Sequence, residues 1–474
     1  MLRFLWLVAL LPLAPLSLFA QPSPQAPQPE NVILLIPDGY GPASSTMARD
    51  YLRWRDGSGR LTLDSLETGS VRTFAADSRV TDSAAGATAY ATGVKTDNGA
   101  IAVDTLQKPV GTLLEAAEER GMATGLVVTS RITHATPASF AAHVPDRWME
   151  NTIATQMLEQ NIDVLLGGGR RHFLREADDG RRDDGEHLIE AATADGYTYI
   201  ADRAGLMATD ETPLLGLFSM SHMDYEIDRD PAEQPSLAEM TEKALGLLSQ
   251  DDDGFFVMIE GSRIDHAGHS NDAAAHLHDI LAFDEAVSTA VEFARNDANT
   301  LVVVVSDHET GGMSLGRDGE YAWHPDVLDR VTASHGVMLR AIQEVLPEEP
   351  TRNRRAAVDA MRPVLTEHAG IQSLSPREHV ALQEALDNRY TLEAALADLI
   401  GQRTRVGWTT GGHTAVDVKL HAYGPGHERF RAHLDNTEVG ERLAELMGID
   451  LNALTTTVRA QAQSDKAMAP ADSR

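Results

Sequence analysis

The segment Asn31-Val32-Ile33-Leu34-Leu35-Ile36 is apolar at every position after Asn31 and stops at Pro37-Asp38-Gly39, a turn signal. A strand with no polar alternation is one buried on both faces, as in a parallel sheet covered by helices. Runs of the same character recur at 125–128, 162–166, 255–259 and 301–305, each rich in branched or aromatic residues. Mixed polar and apolar stretches of helical length separate them. The pattern predicts an α/β fold: a three-layer sandwich with a central, mostly parallel sheet flanked by helices. From about 325 to 401 strand signals vanish, and 329–345, 354–366 and 392–400 carry helical periodicity. This is read as a helical insertion, either a structural cap or a lid or subunit contact. The expected organisation is a signal peptide over 1–20, a linker over 21–30, the α/β domain over 31–454 and a flexible tail over 455–474.

The 474 residues suffice for a large core, and their formal net charge of −31 argues against nucleic acid or an anionic membrane as partner. Such a surface repels a phosphate-bearing substrate unless the site carries its own positive charge, which bound metal ions would supply. The chain has no cysteine, so thiolate is neither nucleophile nor ligand, and any metal is held by oxygen and imidazole. Arg3, the apolar run 5–18 and Phe19-Ala20 read as a cleaved export signal, which implies a periplasmic or extracellular protein with no membrane span thereafter. Residues 21–30 are rich in Pro and Gln, as linkers are.

In covered parallel sheets, ligands collect beyond the carboxyl ends of the strands. There this chain places Asp38, then Glu260 at the head of Glu260-Gly261-Ser262-Arg263-Ile264-Asp265-His266-Ala267-Gly268-His269, then Asp307-His308. His413 stands in Gly412-His413-Thr414. Asp265 and His269, four apart, share one face of a helix. Carboxylates suit Mg²⁺, and mixed imidazole and carboxylate suits Zn²⁺. In Thr81-Asp82-Ser83-Ala84-Ala85 the alanine-rich run starts a helix at Asp82 or Ser83, where orphan N–H groups and the dipole favour a bound phosphate. Thr133-His134-Ala135-Thr136 and, further on, Arg147 add hydroxyls and a planar fork able to grip two phosphate oxygens. Singly, each has a plain structural reading: a turn aspartate, a helix cap, a surface arginine.

Together these motifs, in this order, resemble the alkaline phosphatase family over roughly residues 31–426 apart from the insertion. The resemblance implies hydrolysis of phosphate monoesters to an alcohol and inorganic phosphate through a covalent phosphoserine. It implies Ser83 as nucleophile and Arg147 as phosphate clamp. It implies one zinc held by Asp265, His269 and His413, a second held by Asp38, Asp307 and His308, and a magnesium near Asp38, Thr136 and Glu260. His134 and His266 are expected just outside the ligand sets, touching metal-bound water or phosphate. The family further implies a homodimer. Two rivals are a sulfatase, whose Cys/Ser-x-Pro-x-Arg motif does not occur near Ser83, and a phosphodiesterase, which more often uses Thr as nucleophile and lacks the arginine clamp. A third, a non-catalytic acidic metal-binding protein, leaves Ser83 and Arg147 without a role.

Overall fold

The computed structural model describes residues 28–468; the expected signal peptide and most of the 21–30 linker lie outside the described residues. In chain order the strands are β1 (Asn31–Ile36), β2 (Glu67–Arg72), β3 (Ala123–Arg131), β4 (Val164–Gly168), β5 (Thr198–Ile200), β6 (Leu214–Leu217), β7 (Phe255–Glu260) and β8 (Thr300–Val305). Six more follow: β9 (Glu309–Thr310), β10 (Ser314–Leu315), β11 (Val406–Gly407), β12 (His413–Thr414), β13 (Val418–Tyr423) and β14 (His433–Asp435). Ten of them form one sheet in the order β14-β2-β13-β8-β1-β7-β3-β4-β6-β5. The five runs singled out in the sequence are its five adjacent central strands, β8-β1-β7-β3-β4, all parallel. Only β13 runs antiparallel, to both β8 and β2.

Side-chain alternation along the strands builds two cores from one sheet. Ile33 and Leu35 of β1 pack with Val257, Ile259, Val302 and Val304 on one face. Val32, Leu34 and Ile36 pack with Phe256, Met258, Leu301 and Val303 on the other. Helices Pro42–Asp56, Leu237–Leu248 and Ala273–Asn296 cover the first face. Helices Ser83–Thr92, Leu113–Glu119, Ala135–Ala141 and Asn436–Met447 cover the second. Both faces are therefore closed, which is why the central strands read as unbroken apolar runs.

Between Pro325 and Thr404 the chain is largely helical, in Pro325–Leu328, His335–Val345, Arg354–Ala369, Pro376–Glu384 and Arg389–Thr404. The expected continuous helix over 329–345 is corrected: Ser334 caps the helix by accepting from the Val337 N–H at 3.3 Å, so it starts at His335. Of the expected tail, residues 455–468 continue the helix Leu451–Met468, and 469–474 lie outside the described residues. Leu454 and Val458, four apart, bury themselves against Ala116, and Arg459 pairs with Asp104 at 2.6 Å.

Candidate active site

Four adjacent strands, β8, β1, β7 and β3, deliver most of the site. With strands about 4.8 Å apart, their carboxyl ends hold a row of side chains within a narrow band. Asp38 follows β1, Glu260 ends β7, Asp307 and His308 follow β8, and His134 and Thr136 follow β3. All six are buried. Helix Arg263–His269 then carries Asp265 and His269 on one face, four residues apart as expected. His413 lies far along the chain on β12, which pairs with β9 directly after His308.

The donors fall into three groups, each with its ligand atoms within 4.8 Å of one another: Asp265 with His269 and His413, Asp38 with Asp307 and His308, and Asp38 with His134 and Glu260. Asp38 belongs to two of them. In the first group His269 donates through Nδ1 to the Gly411 carbonyl at 2.7 Å, and His413 through Nδ1 to the Thr81 carbonyl at 2.8 Å. Both rings therefore turn Nε2 inward, and these two nitrogens lie 3.1 Å apart beside Asp265. Outer hydrogen bonds that fix the tautomer are what metal-binding imidazoles require. Burial pushes the Asp265 carboxyl up, but the hydrogen bonds and charges of His269 and His413 outweigh it and hold the group well below the usual range. His269, lowered by burial, is lifted by Asp265 to about 9.

The other two groups lack counter-charge. Both oxygens of Asp38, Oδ2 of Asp307, Oε1 of Glu260 and Oγ1 of Thr136 are buried without a hydrogen-bond partner among the described residues. Burial, then the charges of Asp307, Asp265 and Glu260, push Asp38 well up. Burial raises Glu260 to about 8 and, with Asp265, Asp307 to about 6. Burial and the nearby His413 keep His308 neutral; burial, Arg147 and His266 do the same for His134. Orphaned carboxylate oxygens facing neutral imidazoles are costly as they stand. Cations would satisfy them, so the donor set fits oxygen- and nitrogen-bound divalent metals.

Ser83 is the first residue of the helix Ser83–Thr92, capped by Asp82, which accepts the Ala85 N–H at 3.0 Å. Its Oγ lies 3.2 Å from His308 Nε2. Apart from Tyr90 the helix is made of small residues, and where it runs against the site there is little room: a Cβ on Gly86 would fall 3.1 Å from the Asp307 Cβ. Arg147 is held by the same cap, donating to Asp82 Oδ2 at 2.9 Å, while its second terminal nitrogen lies 3.2 Å from His134 Nε2. Ser83, Arg147 and the eight expected ligands thus converge. His134 stands closer to the carboxylates than expected, among the possible ligands beside Asp38 and Glu260. His266 sits 5.4 Å ring to ring from His134.

Two contributors lie outside the motifs singled out in the sequence. His222, on the loop after β6, packs 4.3 Å from the His266 ring and 5.5 Å from that of His134. Thr310 donates to Asp265 Oδ1 at 2.5 Å. Nothing near His222 in sequence marks it, whereas Thr310 lies two residues past His308 and is within reach of a strand-end search.

A family model described as alkaline phosphatase matches residues 29–449. The repressible alkaline phosphatase of Saccharomyces cerevisiae is 41% identical over 91% of this chain and 83% of its own length. The crystal structure of Thermus thermophilus alkaline phosphatase superimposes with a TM-score of 0.78 at 32% identity, covering 96% of this chain and all of that one. A variant of the alkaline phosphatase of the Antarctic bacterium TAB5, with Mg bound in its M3 site, is 28% identical with a TM-score of 0.64, covering 90% of this chain and 100% of its own.

Proposed function

The chain belongs to the alkaline phosphatase family and is a phosphatase, and from that premise we propose that it hydrolyses phosphate monoesters by transferring the phosphoryl group to Ser83 and then to water. Asp265, His269 and His413 would hold one zinc, and Asp38, Asp307 and His308 a second. Asp38, Glu260 and Thr136 would hold magnesium, with His134 at its edge. When bound, the cations supply positive charge that offsets the phosphoryl dianion and lowers the proton affinity of hydroxyl and water. The observation that carries the reading is the placement of one buried hydroxyl at a helix N-terminus, 3.2 Å from an imidazole of a three-part donor cluster.

The chain's own residues then have distinct roles. Ser83 Oγ attacks phosphorus in line; the bond to the ester oxygen breaks and the alcohol leaves with a proton. Arg147, oriented by Asp82, presents its fork to two phosphoryl oxygens, and the N–H groups of the Ser83–Thr92 helix face the third. Water then attacks phosphorus from the opposite side, Oγ departs and regains its proton, and inorganic phosphate is released. Two inversions give retention at phosphorus. A histidine-to-aspartate variant of the TAB5 relative, with Mg bound in its M3 site, supports a magnesium position in this fold.

Export through the 1–20 segment and assembly as a homodimer complete the proposal. Among the described residues no helix is long and apolar enough to cross a membrane. Trapping with labelled phosphate monoester at low pH is the direct test. The wild type is expected to give a labelled serine peptide containing residue 83. Ser83→Ala is expected to give none and to lose at least ~10³-fold in kcat. Label on another residue, or wild-type turnover by the variant, overturns the assignment.

A further inference from the structure

His134 lacks the tether that His269 and His413 have. Those two rings are each fixed by a backbone carbonyl, whereas His134 Nδ1 is buried with no hydrogen-bond partner among the described residues. Its Nε2 lies 3.2 Å from Arg147, whose fork is committed to phosphate in the proposed reaction. An outer hydrogen bond ordinarily sets the orientation of a metal-binding imidazole. Here packing takes that part. The rings of His266, at 5.4 Å and 66°, and of His222, at 5.5 Å and 81°, meet His134 edge-on. His222 also stands 4.3 Å from the His266 ring, which closes a triangle of three imidazoles beside the Asp38–His134–Glu260 group.

The loop that carries His222 is clamped on both sides of it. The Ser221 carbonyl accepts the Gly169 N–H at 2.7 Å, and the Met223 N–H donates to the Thr129 carbonyl at 3.1 Å. A Cβ on Gly168 would collide with the Ser221 carbonyl, so the loop lies against β4 at a distance only glycine permits. His222 itself faces the end of β3: its Nδ1 accepts the Arg131 N–H at 3.3 Å, and its Nε2 lies against the Arg131 guanidinium. Buried Glu150 fixes that guanidinium, accepting from Nε at 2.6 Å and from Nη2 at 2.9 Å. Three residues after His222, the Tyr225 ring lies 3.8 Å from the Arg263 guanidinium, and Arg263 donates to His266 Nδ1 at 2.9 Å. The loop thus reaches His266 twice, directly through His222 and again through Tyr225 and Arg263.

We infer that His222 is a positioning residue: with Tyr225 it braces His266 and His134, and so holds the third donor group in the shape that takes its cation. The inference rests on the metal-centre reading above. Both nitrogens of His222 are turned to Arg131, so it offers the group no ligand atom. What it supplies is a rigid flank that keeps His134 beside Asp38 and Glu260 while Arg147 engages phosphate. A donor fixed in advance by packing loses less freedom when the cation binds, and the cation is held more tightly for it.

The test is a calorimetric titration of magnesium into the zinc-loaded full chain, with the melting temperature measured beside it. His222→Asn keeps an oxygen able to accept the Arg131 N–H and removes the ring. It is expected to melt as the wild type does and to bind magnesium about tenfold more weakly, the low end for groups that orient a ligand from outside. Tyr225→Leu, which acts one step further out, is expected to weaken binding in the same direction by less. Wild-type magnesium affinity in both variants overturns the inference and leaves the metal-centre reading intact. Should His222→Asn lose affinity and melting temperature together, Tyr225→Leu decides: affinity lost at an unchanged melting temperature supports the brace, and affinity unchanged refutes it. No magnesium uptake by the zinc-loaded wild type overturns the metal-centre reading and the inference with it.

Discussion

At Glu118, near the end of the helix Leu113–Glu119, burial first and then the Asp163 charge raise the carboxyl to about 7, against a hydrogen bond from Thr124 that lowers it. The folded chain thus keeps this proton where the unfolded chain, ionising near ~4.3, has lost it. A raised carboxyl contributes stability below its unfolded pKa, and that contribution is lost as pH rises towards 7. Glu118→Gln removes the dependence. With part of the group in water, the expected gain at pH 8 is only about 1 kcal/mol, and none is expected at pH 4. Denaturant melts at the two pH values check this; equal shifts at both would refute it. Arg147 sits at the same scale. Its planar fork is aimed by a single carboxylate, Asp82. Asp82→Asn is expected to keep the helix cap, since the amide oxygen can still accept from Ala85, yet to raise KM severalfold as Arg147 loses its charge partner. A fall in melting temperature with unchanged KM would assign Asp82 to capping alone.

The helix Ser83–Thr92 shows what an element can owe to its neighbours. Every one of its ten residues is buried, which an alanine-rich sequence permits and a bulkier one forbids. Gly86→Val puts branched carbon against Asp307, within 3.2 Å of its backbone oxygen already at the Cβ. The expected cost is about 1–3 kcal/mol together with weakened metal binding, measured by melting and by zinc titration; normal zinc affinity would show that the helix can shift without moving Asp307. Strands divide in the same way. β1, β3, β4, β7 and β8 are legible in the sequence because burial on both faces gives each a continuous apolar run. β2 (Glu67–Arg72) and β14 (His433–Asp435) lie at the sheet margin, half polar, and β13 mixes Lys419 and His421 with apolar residues. Their strand character comes from the partners they meet. The stretch 455–468 reads as tail from sequence because its one large apolar residue, Val458, finds its partners, Leu454 and Ala116, only in the fold.

For the molecule as a whole, like charges meet where the sheet is driest. Asp38, Glu260 and Asp307 are fully buried within one another's fields. Cations bound there stabilise the folded chain by linkage. Chelation is therefore expected to lower the calorimetric melting temperature by several degrees and to abolish activity, with zinc plus magnesium restoring both. A verified metal-free chain melting like the loaded one would end the metal-centre reading. The sequence alone was enough for the α/β class, the central strands and the strand-end acids Asp38, Glu260 and Asp307 that the fold gathers, because burial pattern, turn chemistry and strand-end acids are local features. Only the tertiary structure decided the strand order that sets β8, β1, β7 and β3 side by side, and the approach of His222 to His134 and His266. Those depend on contacts between segments far apart in the chain, where relative position follows from how whole faces pack and no short stretch carries the information.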